Sequence, residues 1–123
     1  MDAIQLNQQL NQFTGTMEYT VYNRLLLLTE GVVFLAKNAG GGCFWLIDCI
    51  YSYLSTDAKL REKQFMYATL RVKDNQARFY IDDSDGNRLV TQDIEYTDFP
   101  LNKITLYVGL YGKQHIVCLP SED

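Results

Sequence analysis

Apolar residues recur along this chain with two periods, and the change of period divides it. In residues 3 to 13, Ala3, Leu6, Leu10 and Phe13 share one helical face with Asn and Gln between them. That spacing predicts an amphipathic first helix ending before Gly15. Residues 30 to 39 follow Thr29, a good N-cap, and Glu30, which suits the positive end of a helix dipole. Val32, Leu35, Ala36 and Ala39 share a face there, and Gly40 closes this second helix. Between the two lies TMEYTVYNRLLLLT, whose four consecutive leucines fit a buried strand or a helical turn equally well, so residues 16 to 28 are read as mostly irregular.

The stretch GGGCFWLIDCIYSYL, Gly40 to Leu54, predicts the central helix. Leu46, Ile47, Cys49, Ile50, Tyr53 and Leu54 form a wide apolar face from Phe44 onward, with Asp48, Ser52 and Ser55 opposite and Cys43 in the first turn. The polar run STDAKLREKQ that follows reads as a solvated helix end or loop.

From Phe65 the period becomes two. Met66, Ala68, Leu70 and Val72 alternate with Tyr67, Thr69, Arg71 and Lys73. A tight turn at Asp74-Asn75 sets Val72 opposite Ala77, Leu70 opposite Phe79 and Ala68 opposite Ile81, so the two apolar faces coincide. Asp85-Gly86 signals a second hairpin that brings Val90 across from Ile81. The connection YTDFPL carries a proline that stops the ladder, after which Ile104, Leu106, Val108 and Leu110 alternate, and a turn at Gly112-Lys113 leads into HIVCLP. The expected fold is α+β: three N-terminal helices on one face of a roughly five-stranded antiparallel meander. It forms one domain, 1–123, with a helical half over 1–60 and the sheet over 64–119.

Composition narrows the function classes. At 123 residues, 47% hydrophobic and 13% aromatic, the chain has ordinary globular content. A formal charge of -4 without a Lys/Arg cluster argues against nucleic acid as a partner. Three cysteines and an N-terminus without a signal core point to reduced thiols and a cytoplasmic location. Charged residues break every apolar run, so no membrane span is expected.

Metal chemistry finds no support. DDSDGN resembles a calcium loop, but aligned on Gly86 its first ligand position is Ile81 and its last is Gln92. Cys43, Cys49, Cys118 and His115 lack zinc spacing. No cofactor is expected.

Two functional readings remain. In the first, Tyr67, Tyr80 and Tyr107 alternate with Arg71, Arg78 and Lys103 on the solvent side of the sheet, a composition suited to a protein partner or a homodimer. Tyrosine's strand propensity supplies a plainer account of the same residues. In the second, Cys43 at a helix start is a nucleophile, with His115 from the last hairpin or Asp48 as acid or base. Here the plainer account is that the thiols are core residues and His115 lies at a strand end. The run Cys43-Phe44-Trp45 resembles the nucleophile motif of A-type peptide methionine sulfoxide reductases, with Asp48 where that family's acid stands and Leu46 replacing its glycine. That resemblance covers only this run, and the family's later Gln-Tyr-Arg segment is absent. It implies Cys43 as nucleophile, Asp48 as proton donor and Phe44 with Trp45 as a methyl pocket.

A broader resemblance runs through QQLNQFTGT, TEGVVFLAKNAG, WLID, YTDFPL and LPSED. These motifs resemble a small uncharacterised bacterial domain-of-unknown-function family of cyanobacterial and mobile-element contexts. The resemblance implies a compact cytosolic bacterial protein and brings no activity or site residue. The leading reading is a non-enzymatic binding or regulatory module, with the Cys43 thiol enzyme as the alternative.

Overall fold

The structure, a computed structural model, describes residues Met1–Asp123. Helix α1 runs Ala3–Leu10, opened by a reciprocal capping box between Asp2 and Gln5. Helix α2 spans Glu30–Asn38 with the Thr29 side chain accepting from the Val32 amide. Helix α3 spans Phe44–Thr56 and a short α4 covers Ala58–Arg61. The sheet contains β1 Thr20–Val21, β2 Leu26–Leu28, β3 Phe65–Lys73, β4 Gln76–Asp83, β5 Arg88–Ile94, β6 Lys103–Tyr111 and β7 Gln114–Cys118, in the order β1-β2-β7-β6-β3-β4-β5. A closing 3-10 turn covers Pro120–Glu122.

The α+β class stands, with corrections in detail. Four helices replace three, because the STDAKLREKQ run forms α4 once Asp57 caps it through the Lys59 amide. Seven strands replace five, because residues 16–28 are not irregular. The leucine run supplies β2, which lies parallel to β7 with Leu26 opposite His115 and Leu28 opposite Val117, and β1 folds back on it. The three helix boundaries shift as well: α1 stops at Leu10, α3 continues to Thr56, and Cys43 is the N-cap rather than a first-turn residue.

The meander is also corrected. Strand β6 does not lie beside β5; it crosses back to pair with β3, with Lys103 opposite Arg71 and Val108 opposite Met66. The eight residues between β5 and β6 are too many for a tight hairpin. They bury Thr97, Phe99 and Leu101 and tie back through the Thr97 amide on the Asn75 carbonyl and the Val72 amide on the Asn102 carbonyl, both 2.8 Å. Burial explains the choice. Strand β6 buries Ile104, Leu106 and Val108 and belongs in the middle of the sheet. Strand β5 places polar Gln92 inward, where it accepts from the Tyr53 hydroxyl at 2.7 Å, and it suits an edge.

The hairpin registers match the alternation: Val72 faces Ala77, Leu70 faces Phe79, Ala68 and Val90 each face Ile81, and Leu110 faces His115. Asp74 and Asn75 take φ values of 54° and 60°, the left-handed pair that a two-residue hairpin turn requires. One contiguous core joins Leu6 and Leu10 of α1, Val32 and Leu35 of α2, and Ile47, Ile50 and Leu54 of α3 to the inward residues of β2, β3, β4, β6 and β7. All helices that contribute to this core lie on one face of the sheet. On the other face no helix contributes to the core, and only residues such as Thr16, Tyr19 and Glu122 reach its Phe65 end.

Candidate functional site

Alternation assigns the uncovered face its residues, and cross-strand pairing arranges them in rows. The row at the Asp74-Asn75 end reads Lys103, Arg71, Arg78, Asp93 across β6, β3, β4 and β5. The next reads Thr105, Thr69, Tyr80, Thr91. A third sets Cys118, Tyr107, Tyr67 and Asp82 side by side, and a fourth sets Leu27, Ile116, Gly109 and Phe65. The face is therefore cationic at one end, hydroxyl-bearing in the middle and aromatic to apolar at the other.

Three rings make the aromatic end. Phe65, Tyr67 and Tyr107 meet pairwise edge to face with centroids 5.1 to 5.3 Å apart. All three are half-buried, largely against one another. Beside them opens a cleft of about 520 Å³, bordered by Phe65, Ile116, Cys118, Tyr19, Tyr111 and Thr29. That volume falls in the range of small-molecule and side-chain sites. A broader concavity of about 1140 Å³ lies at the cationic end, bordered by Arg71, Lys73, Arg78, Asp93 and Glu95.

Tyr80 is not part of the solvent-facing surface. It is only 8% exposed, because the Arg88 guanidinium lies 3.9 Å above its ring and the Arg71 Nε donates to its hydroxyl at 2.8 Å. Tyr80 thus positions Arg71, and the aromatic surface consists of Tyr67, Tyr107 and Phe65. Arg78 is exposed and donates through Nε to Asp93 at 2.8 Å, which raises its pKa. Two members of this face were missed in the sequence. Phe65 begins β3 in the same alternation as Tyr67 and was legible there. Arg88 was not, because a register shift between Ile81 and Asp82 displaces it from the position that counting assigns.

Cys43, His115 and Asp48 are not brought together. Cys43 is fully buried and its Sγ donates weakly to the Leu35 carbonyl at 3.5 Å. Burial, reinforced by Asp98, pushes its pKa up to about 12, the opposite of an activated thiol. The helix end beside it is anchored where the Gly41 amide meets Asp98 at 2.8 Å, near the Asp74-Asn75 hairpin. His115 is buried at the other end of the sheet, its Nε2 donating to the Lys63 carbonyl at 3.1 Å, and burial lowers its pKa. Strand β3, which runs between these two regions, is roughly 26 Å long at about 3.3 Å per residue. Asp48 is exposed on α3 and accepts from the Tyr22 hydroxyl at 2.6 Å; burial first, and then this bond and the Asp48 charge, raise the Tyr22 pKa to about 12. Phe44 stacks on Tyr22 at 6.0 Å instead of forming a pocket with Trp45 over a thiol. Burial also raises the pKa of Cys49, and that of Cys118 to about 11. No group of His, Cys, Asp and Glu is placed to hold a metal, and no helix is long and apolar enough to cross a membrane.

The chain belongs to DUF6876, a family of unknown function whose model matches residues 4–123. Among solved structures it is similar to a protein of unknown function from Enterococcus faecalis, with a TM-score of 0.59 and 16% identity over 83% of this chain and 92% of that one. Likeness at that identity shows the fold alone. No curated protein matches.

Proposed function

We propose that this DUF6876 member is a non-enzymatic binding module that takes a protein partner on the open face of its sheet. One observation carries the reading: Phe65, Tyr67 and Tyr107 form a ring cluster on the sheet face opposite the helices, flanked only at its Phe65 end by residues such as Tyr19 and Glu122. A two-layer α+β domain needs apolar residues on only one sheet face and normally turns a polar face to water. Aromatic side chains, together with arginine, are the residue types that anchor protein interfaces. The thiol-enzyme alternative draws no comparable support, since Cys43 has neither access to solvent nor a base within reach.

Photocrosslinking tests the reading. Benzoylphenylalanine is placed at Tyr107 on the open face or at Lys59 on α4, and the full chain is irradiated in its native cells. A discrete protein adduct from position 107 and none from position 59 supports the face as the working surface; an adduct of twice the chain's mass identifies the partner as a second copy. Absence of an adduct at 107, or equal yields from both positions, overturns it.

A further inference from the structure

Resting on that open-face reading, we propose that the occupant is an acidic polypeptide segment. Its carboxylates lie over the Lys103, Arg71 and Arg78 row, and an apolar side chain lies over Phe65, Tyr67 and Tyr107. Charge is segregated in this molecule. Arg71, Lys73, Arg78, Arg88 and Lys103 stand on the open face, out of eleven Lys and Arg residues in a chain of net charge -4. Of its fifteen carboxylates, the strands place only Asp82 and Asp93 there. Arg78 is paired with Asp93 and Arg88 with Asp82, and Asp74 and Glu95 border the same end, so the cations left without an ion-pair partner are Arg71, Lys73 and Lys103, on the same face as the aromatic cluster.

The arrangement of the row is itself unfavourable without a ligand. Lys103 is directly opposite Arg71, and Arg71 is directly opposite Arg78, so like charges face each other across both strand pairs. Arg71 is held in place by the Tyr80 hydroxyl on its Nε, which leaves its terminal nitrogens free to form a fork with a carboxylate. Asp93, the counter-ion within this row, is 72% exposed in its pair with Arg78, and so exposed a pair exchanges readily for an incoming carboxylate. Asp74 in the β3–β4 turn and Glu95 just beyond β5 border the concavity, and Arg71 and Lys103 are the row's cations that no internal carboxylate pairs.

Spacing defines the segment. The Arg71–Lys103 pair and the Tyr67–Tyr107 pair are four residues apart along β3 and β6, about 13 Å. An extended segment bridges that distance with an apolar residue and an acid about four positions apart. Single-stranded nucleic acid fits less well. Bases stack on open ring faces, and these three rings are turned edge to face on one another.

A displayed library of short random peptides, selected on the immobilised full chain at low and high salt, tests the proposal. Peptides with Asp or Glu about four positions from an aromatic or aliphatic residue should be enriched. They should lose at least about tenfold in affinity on the Arg71→Glu/Lys103→Glu variant, which should itself select basic peptides. Circular dichroism establishes that the variant is folded. Enriched peptides without acids that depend on Tyr67 and Tyr107 but ignore the charge reversal would overturn the acidic occupant and leave the open face standing. Peptides indifferent to both sets of changes would remove both. Binding of an oligouridylate in preference to any peptide would overturn the proposal in favour of nucleic acid.

Discussion

The carboxylate of Glu122 sits on the backbone amide of Gly31, accepting at 3.0 Å through one oxygen while the other accepts from the Thr29 hydroxyl at 2.6 Å and the Leu119 amide at 3.0 Å. Glu122, more than ninety positions on in the chain, thereby closes the amino end of α2, where unpaired amides and the helix dipole favour an anion. Gly31 makes the approach possible: a Cβ there would stand 2.6 Å from Leu119 Cδ1 and 2.7 Å from Glu122 Oε1.

We expect Glu122→Ala to cost about 1 to 2 kcal/mol, the scale of a lost charge-assisted cap. Urea unfolding measures it. Gly31→Ala should cost at least as much by expelling the tail, and removing Leu119–Asp123 in the Gly31→Ala background should then add little. If the two changes add in full, the tail and α2 are not coupled through this contact.

The thiols should be inert in the folded state. With Cys43 raised to about 12 and Cys118 to about 11, iodoacetamide at neutral pH should leave both unlabelled until denaturant is added, as read residue by residue by mass spectrometry. The linked stability has a definite sign. Between the ordinary thiol value of 9.0 and about 12, the folded protein keeps a proton on Cys43 that the unfolded chain releases. Stability is therefore complete below about pH 9 and falls as pH rises toward 12. Cys43→Ala should flatten part of that alkaline loss while costing packing energy at all pH values. Rapid labelling of Cys43 at neutral pH would instead restore the thiol chemistry as a reading.

On the acid side the sign reverses. Burial lowers the pKa of His115, so the folded state prefers the neutral ring; stability is full above 6.5 and falls as pH drops through the lowered value. Asp83 acts at lower pH: the Asn87 amide above all, with further bonds from Asp85 and Lys63, holds its carboxyl below 3.8, and its contribution is lost as pH falls through that lowered value. A His115→Gln variant should unfold with less pH dependence below 6.5 than the native chain, and Asp83→Asn should leave that upper limb unchanged. Urea midpoints across the acid range distinguish the two.

Much of the fold was legible because local rules and tertiary packing agree. Asp74-Asn75 is a two-residue turn with both residues left-handed, and it fixes the β3–β4 register without help from elsewhere. Thr29 and Gly40 bracket α2 by cap chemistry alone, and Gly40 sits at a φ of 59°. The open-face residues Tyr67, Tyr107, Arg71 and Arg78 followed from alternation. Phe65 belongs to the same series.

Other features depend on partners far away in sequence. Leu26–Leu28 forms a strand because β7, nearly ninety residues on, offers a parallel edge, and no period within four leucines records that. Arg88 lies over Tyr80 because a bulge shifts it. The Cys43 and His115 pairing proposed from helix and strand positions required both residues at one end of the sheet, but the segment before α3 is tied to Asp98 near the Asp74-Asn75 turn while His115 is tied to Lys63 at the other end of β3.

The sequence by itself determined the change of period, the hairpin turns, the helix caps and, outside the β4–β5 bulge, which side chains share a sheet face, since each depends on backbone geometry over a few residues. Only the tertiary structure decided strand order, the burial of Cys43 and Tyr80, and the alignment of Lys103, Arg71 and Arg78 in one row. Those depend on which nonlocal neighbour gains most from burial, and β6 takes the central place beside β3 because its apolar inward residues need cover on both sides.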